Sequence, residues 1–269
     1  MNKYSPKEPE ANISILSSFR LDGKTALVTG SGRGIGRIAS IALSEAGANV
    51  ILTDIDLKSV NNLSKELTKL GRNANAFKLD VTNPNDVTKK VKIFEDKFKS
   101  IDILVNNAGT SIRQPMEKMS LKTYEKIIKT NQTSVFLCSQ AVGKLMLKKK
   151  SGTIINISSI QGLTGGGPTP NFPYHASKGA IVNMTRSLAN EWGPKGIRVN
   201  AIGPTYTKTQ LVSPLMKDKK LLNFIISRTP LRRLAEVEEI AGAIIFLASP
   251  ASSMITGHTL MVDGGWTAI

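Results

Sequence analysis

Tyr174 and Lys178 stand four residues apart. On a helix that spacing puts them on one face, one turn along from each other. A free phenol, with a pKa of about 10, is a poor base near neutral pH. A cation held beside it favours the ionised form. The pair could therefore give and take a proton as a general acid/base. A second stretch, Thr29-Gly30-Ser31-Gly32-Arg33-Gly34-Ile35-Gly36, could hold a pyrophosphate. Its glycines let the backbone approach the phosphates, and the N-terminus of a following helix favours their charge. The same stretch also reads as a tight strand-to-helix turn without a ligand. Asp54 lies roughly 20 residues further on, where a carboxylate binds the adenosine ribose hydroxyls and repels a 2′-phosphate. It favours NAD, whereas the Arg33 guanidinium would suit NADP. NAD is the expected cofactor and NADP the alternative. Asp54 also reads as a turn or capping residue, although Asp56 is better placed to cap.

These groups need a scaffold, and the hydrophobic pattern supplies one. From Lys24 onward short apolar runs alternate with longer amphipathic stretches, the pattern of strand–helix–strand units around a parallel sheet. Strands are predicted at 25–29, 49–53, 74–79, 101–105, 152–157, 198–202 and 259–262. Several are apolar almost throughout, as strands buried on both faces must be. Helices are predicted near 34–46, 56–70, 84–98, 120–148, 174–192 and 236–248. Right-handed crossovers then give an α/β fold, a single Rossmann-type doubly wound domain with about seven parallel strands and helices on both faces. Residues 1–20 read as an N-terminal arm and 21–269 as one dinucleotide-binding catalytic domain, with an irregular or helical insertion near 205–230.

Composition narrows the chemistry. The 269 residues include one cysteine, Cys138, and two histidines, His175 and His258. No intrachain disulfide or cysteine-based zinc site can be built from one thiol, so metal-free chemistry is expected. No apolar run reaches the roughly 18–20 residues of a membrane span. Residues 1–18 lack the apolar core of a secretory signal. A cytoplasmic protein without membrane association is expected. The net charge of +16 raises the question of a nucleic-acid partner. The lysines are scattered, however. The one tight run, Lys148-Lys149-Lys150, falls where a helix should end and cations suit its dipole. No aromatic residues interleave with the charges. A small-molecule substrate is expected, not nucleic acid.

The ordered set of motifs resembles the short-chain dehydrogenase/reductase family. The glycine turn is followed by Asp80-Val81, then Asn106-Asn107-Ala108-Gly109, Asn131 and Ser158-Ser159, then Tyr174-His175-Ala176-Ser177-Lys178. The resemblance runs from about Leu21 to the C-terminus. It implies hydride transfer between a nicotinamide cofactor and a secondary alcohol or ketone. It further implies that Asp80 and Val81 contact the adenine, that Asn107 and Gly109 line the cofactor channel, and that Asn131, Ser159, Tyr174 and Lys178 form the catalytic group. In that group Tyr174 is the acid/base and Ser159 holds the substrate oxygen. Lys178 lowers the tyrosine pKa and binds the nicotinamide ribose, and Asn131 holds a water linking Lys178 to solvent. Singly, each has a plainer reading: a half-buried tyrosine, a solvated lysine, a capping serine, a polar residue kinking a helix. The family also implies a homotetramer, with the helices at 120–148 and 174–192 at one interface and the apolar C-terminal segment at another.

Two places depart from the family pattern. The gap from Ser159 to Tyr174 is longer than usual, through Gly165-Gly166-Gly167-Pro168-Thr169-Pro170. That loop should border the substrate, and the change leaves Ser158 open as an alternative to Ser159. After the sixth strand, Pro204-Thr205 stands where the family has Pro-Gly. Backbone near Thr207 should still meet the nicotinamide carboxamide, with the Thr209 hydroxyl as a further contact.

Finer stretches, among them Thr110-Ser111-Ile112-Arg113-Gln114-Pro115 and Val262-Asp263-Gly264-Gly265-Trp266, resemble the gluconate 5-dehydrogenase type of sugar-acid and polyol dehydrogenases. Arg113 suits a substrate carboxylate, or is an ordinary surface arginine. Gln161 is placed to bind a substrate hydroxyl. The alternatives are an NADPH-dependent 3-oxoacyl thioester reductase, or a non-catalytic relative that senses cofactor or binds nucleic acid.

Overall fold

The computed structural model describes residues 14–269. Most of the expected arm lies outside them; its described end holds a 3-10 turn at Leu16–Phe19. Strands and helices then alternate: β1 (Thr25–Thr29), α1 (Gly34–Glu45), β2 (Asn49–Asp54), α2 (Leu57–Lys69), β3 (Ala74–Lys78), α3 (Pro84–Phe98) and β4 (Ile103–Asn106). The second half runs α4 (Leu121–Ile128), α5 (Ser134–Lys149), β5 (Gly152–Ile157), α6 (Phe172–Trp192), β6 (Ile197–Pro204), α7 (Ser213–Met216), α8 (Lys219–Arg228), α9 (Ala241–Ala248) and β7 (Thr259–Val262).

All seven strands pair in parallel in the order β3-β2-β1-β4-β5-β6-β7. This is the open, doubly wound sheet expected from the sequence. The chain starts at β1, builds outward to β3, then returns to build from β4 on the other side. The crossovers leaving β1 and β4 therefore diverge and open a crevice at the strands' C-terminal ends. Both faces are covered. Leu43, Leu63 and Leu247 of α1, α2 and α9 pack on one face, and Phe94, Val142 and Trp192 of α3, α5 and α6 on the other. A third cluster, with Tyr206, Leu215, Ile225 and Trp266, seats the insertion against the C-terminal turn.

Several boundaries differ from the sequence expectation, each for a local reason. The single helix expected over 120–148 is broken by a π-helical turn, Lys129–Thr133, that carries the buried Asn131. Helix α6 begins at Phe172, ahead of Tyr174, because Pro173 fits its first turn. The helix expected from 236 opens as a 3-10 turn, Val237–Ile240, before α9. Strand β4 starts at Ile103 because the Asp102 carboxylate, not a ladder carbonyl, accepts from the Thr25 N–H. The 205–230 insertion holds two helices, α7 and α8, the latter capped by Asp218.

Candidate active site

The glycine turn sits at the crevice and is fastened to the end of β4. Gly30 has φ +65, and a Cβ there would lie 2.9 Å from the Ala108 Cα. A Cβ on Gly36 would lie 2.1 Å from the Gly30 carbonyl oxygen. Only glycine fits either position. The Asn107 amide donates to the Thr29 and Gly30 carbonyls, each at 3.0 Å. Thr29 Oγ1 accepts from the Asn107 and Ala108 N–H groups. Thr29 is buried and opens the glycine stretch read from the sequence, which gave its hydroxyl no bracing role. Asp54 is engaged on both oxygens, accepting from the Gly32 N–H at 3.1 Å and the Asp56 N–H at 3.0 Å. Asp56 caps α2, as expected. Asp54 therefore shapes the turn while presenting its charge to the cleft.

A cleft of about 730 Å³ runs from this turn across the strand ends. Gly30, Arg33, Gly34, Ile35 and Asp54 line one end. Asp80, Val81, Asn107 and Gly109 line its middle, and Ser159, Tyr174, Lys178, Pro204, Thr207 and Thr209 the far end. Gly36, Asn131, Arg113 and Gln161 do not line it. Gly36 lies beneath the turn, and Asn131 braces the wall from behind. Asn131 Oδ1 accepts from the Thr110 N–H at 2.8 Å, and its amide donates to the Thr110 carbonyl and to Ser177 Oγ. Ser177 Oγ in turn donates to the Tyr174 carbonyl at 2.9 Å. The Asn131 side chain thus ties the loop after β4 to the first turns of α6.

Ser159 and Tyr174 meet at the far end. The Ser159 hydroxyl accepts from the Gln161 N–H at 3.1 Å. Ser158 Oγ instead donates to the Lys178 carbonyl at 3.0 Å, although the residue also lines the cleft. Of the two serines only Ser159 also borders the smaller chamber described below. Lys178 Nζ donates to the Ile157 carbonyl at 2.6 Å and lies 5.6 Å from the centre of the Tyr174 ring. Burial pushes the Tyr174 phenol up from its ordinary value, against the opposing pull of the Ser159 hydroxyl and the Arg113 charge. Burial also pushes Lys178 down, to about 8. In the chain alone Lys178 does not offset the rise at Tyr174. The ammonium faces the ring and a carbonyl, and desolvation dominates, so the phenol is held protonated.

Behind Tyr174 a smaller chamber opens, sharing Ser159, Tyr174, Thr205, Leu211 and Val212 with the cleft. Arg113 and Gln161 lie here. Arg113 donates to the Leu211 carbonyl at 3.3 Å, and no carboxylate pairs with it among the described residues. Burial lowers its pKa, with Tyr206 and Tyr174 acting in opposition. Gln161 is buried, and its amide donates to the Tyr206 hydroxyl at 3.3 Å. Tyr206 and Asn171 also line this chamber, and the sequence reading missed both. Asn171 stands three residues before Tyr174, and that position was the available signal.

The cradle, the convergent polar end and the sheet order are those of a dinucleotide-dependent redox enzyme. Residues 30–267 match a family model described as enoyl-(acyl carrier protein) reductase. The chain belongs to the short-chain dehydrogenase/reductase family. As such it is an NAD(P)-dependent oxidoreductase acting on a secondary alcohol or ketone. It is 38% identical to gluconate 5-dehydrogenase of Gluconobacter oxydans (strain 621H), over 93% of this chain and 96% of that one. It is 39% identical to a 3-oxoacyl-(acyl-carrier-protein) reductase of Synechocystis sp. (strain ATCC 27184 / PCC 6803 / Kazusa), over 91% and 97%. Among solved structures it resembles a gluconate 5-dehydrogenase from Burkholderia cenocepacia J2315 in complex with NADP and tartrate, with TM-score 0.92 and 37% identity, covering 95% of this chain and all (100%) of that one. Among the described residues no helix is long and apolar enough to cross a membrane, and no cluster of three or more histidine, cysteine or acidic side chains could hold a metal ion.

Proposed function

We propose that this short-chain dehydrogenase/reductase interconverts a hydroxyl and a keto group on a sugar acid or related polyol, in the manner of the gluconate 5-dehydrogenases. One observation carries the reading. The wall formed by Ser159 and Tyr174 divides the dinucleotide cleft from a chamber holding an unpaired, half-buried guanidinium, that of Arg113. A substrate carboxylate on Arg113 would gain a charge-assisted bond in partly desolvated surroundings.

The bound nicotinamide would supply the hydride in reduction and accept it in oxidation. Tyr174 delivers its phenolic proton to the substrate oxygen in reduction and takes it back in oxidation. Ser159 donates a hydrogen bond to that oxygen, which fixes the reacting carbon near the cleft. Lys178 binds the nicotinamide ribose and adds positive charge as the phenolate forms. Asn131 positions Lys178 and Tyr174 through the bonds it makes behind them. Arg33, Asp54, Asp80, Val81, Asn107, Gly109, Pro204, Thr207 and Thr209 hold the rest of the cofactor.

The sequence favoured NAD on the strength of Asp54. Two facts support NADP use as well: both Asp54 oxygens are already engaged by backbone amides, and the Burkholderia relative is described with NADP. We take Arg33 as the partner of the 2′-phosphate. The 3-oxoacyl thioester reductase reading is kept second, favoured by the Synechocystis relative. Residues 21–269 would act as one catalytic unit, assembled as a homotetramer. The deciding experiment assays sugar acids, polyols, simple ketones and a 3-oxoacyl thioester with NAD(H) and NADP(H) in parallel. Turnover confined to the thioester would overturn the sugar-acid reading and leave the hydride chemistry standing.

A further inference from the structure

Three buried side-chain atoms among the described residues make no hydrogen bond within the chain: Asn171 Oδ1, Thr205 Oγ1 and Thr259 Oγ1. Two of them, on Asn171 and Thr205, belong to walls of the chamber behind Tyr174. We propose that Asn171 and Thr205 are specificity-determining residues, each hydrogen-bonding a substrate hydroxyl beyond the reacting carbon, so that this chamber of about 50 Å³ receives the hydroxyl-bearing carbons next to that carbon. This inference rests on the sugar-acid reading above and names the groups that would enforce it.

Asn171 carries the argument furthest. It occupies the N-cap of α6, a position where asparagine normally accepts from a backbone N–H of the first turn and stabilises the helix by about 1 kcal/mol. Here the side chain makes no capping bond. Its amide donates instead to Ser111 Oγ at 2.9 Å, and the carbonyl is left free although the residue is only 5% exposed. An acceptor buried without a partner costs about 1–3 kcal/mol. Forgoing the cap and leaving the carbonyl bare both count against the free protein. Both are accounted for by an external donor.

Thr205 adds a second hydroxyl from the opposite side of the sequence, at the end of β6. The two positions coincide with the two departures from the family pattern. Asn171 directly follows the lengthened Gly165–Pro170 loop, and Thr205 replaces the usual glycine. The loop also closes on the chamber. A Cβ on Gly167 would lie 3.1 Å from Gln161 Nε2 and 3.3 Å from the Tyr206 hydroxyl. A hydrocarbon chain entering the chamber would leave both atoms unpaired, as they are in the free protein, and would gain nothing from them. A chain bearing hydroxyls would satisfy them, which is how a polar site rejects an apolar competitor.

The test compares wild type, Asn171→Ala and Thr205→Gly on three substrates: a 5-keto-hexonate, its analogues lacking single distal hydroxyls, and a small diketone with none. The expected result is a loss in kcat/KM of about 10- to 100-fold per variant on the full substrate. On the analogue lacking the matching hydroxyl the same substitution adds less than about threefold, because the interaction is already gone. Equal losses on all three substrates would overturn the proposal. So would no loss on any, the result expected if the chamber holds an ordered water only. A wild type that reduces the diketone but no polyhydroxy acid would instead refute the sugar-acid reading, and this inference would fall with it. Melting temperature and cofactor affinity report on folding. Asn171→Ser shortens the side chain, keeps a polar group at the helix start, and should give the same substrate split if the alanine variant is unstable.

Discussion

The Lys178 ammonium lies over the face of the Tyr174 ring, 5.6 Å from its centre, and its own hydrogen bond goes to the Ile157 carbonyl. Tyr174 is held protonated by burial while Lys178 is brought down to about 8 by the same cause. In the free enzyme the phenol therefore carries the proton that ketone reduction would consume. Below pH about 8 Lys178 carries its charge and Tyr174 its proton. Above it, Lys178 loses charge, and with it the support for the developing phenolate. In the reductive direction kcat/KM should be level through neutrality and fall on the alkaline side. A profile level to pH 10 would remove Lys178 from this role. Tyr174→Phe should lower turnover by at least roughly 100- to 10,000-fold, with cofactor affinity retained in a fluorescence titration.

Much of the site was legible because its parts lie at the ends of buried parallel strands, whose apolar runs stand out in the sequence. Gly30 and Gly36 were readable for the same steric reason that the structure displays. The π-turn at Asn131 was not, since its residues have ordinary helix-compatible types and only tertiary bonds to Thr110 and Ser177 define it. The direction of the Tyr174 shift in the chain alone was not legible, because i to i+4 spacing gives proximity without saying where the ammonium points. Asn171 and Tyr206 escaped notice because a chamber between two loops leaves no periodic trace.

Arg113 should discriminate by charge. Arg113→Ala is expected to cut kcat/KM for a keto acid by about 10- to 100-fold, the loss of a charge-assisted bond. The effect on a neutral ketose or polyol should be several-fold smaller. Arg113→Lys should recover only part, since a point charge cannot replace the planar fork. Equal losses on acid and neutral substrates would reassign Arg113 to holding the Leu211 loop through its carbonyl bond.

Arg33 caps the start of α1 by position, and its guanidinium donates to Gln210 at 2.9 Å across the mouth of the cleft. It should act on NADP alone. Arg33→Ala is expected to weaken NADP binding by about 10-fold or more, the scale of one charge-assisted contact, and to change NAD binding little. Calorimetric titration with both cofactors decides it. Parallel weakening would make Arg33 a general brace of the loop around Gln210.

The proposed homotetramer predicts that exposed apolar side chains on α5 and α6 lie in its interfaces. Phe136 on α5 is 50% exposed and Phe172 at the start of α6 is 46% exposed. Light scattering on the purified protein should give a mass of four chains. Phe136→Glu should reduce it by placing a charge in a closed interface. A monomeric wild type with full activity would end the assembly proposal.

Asp102 offers a stability test far from the chemistry. Its carboxylate, nearly buried, accepts from the Thr25 N–H at 2.9 Å and from Ser100, and pairs with Lys149 at the end of α5. Burial raises its pKa, but Lys149 and the Thr25 N–H together outweigh that and leave it below the usual carboxylate value. A carboxylate depressed in the folded state binds fewer protons than in the unfolded chain, so its stabilisation is full above the unfolded pKa. It is lost as pH falls through the folded value. Denaturant midpoints should therefore drop as pH falls below about 5. Asp102→Asn should flatten that drop, while lowering stability at neutral pH by about 1–3 kcal/mol through loss of the charge-assisted bonds. An equal acid drop in wild type and variant would assign the effect to other carboxylates.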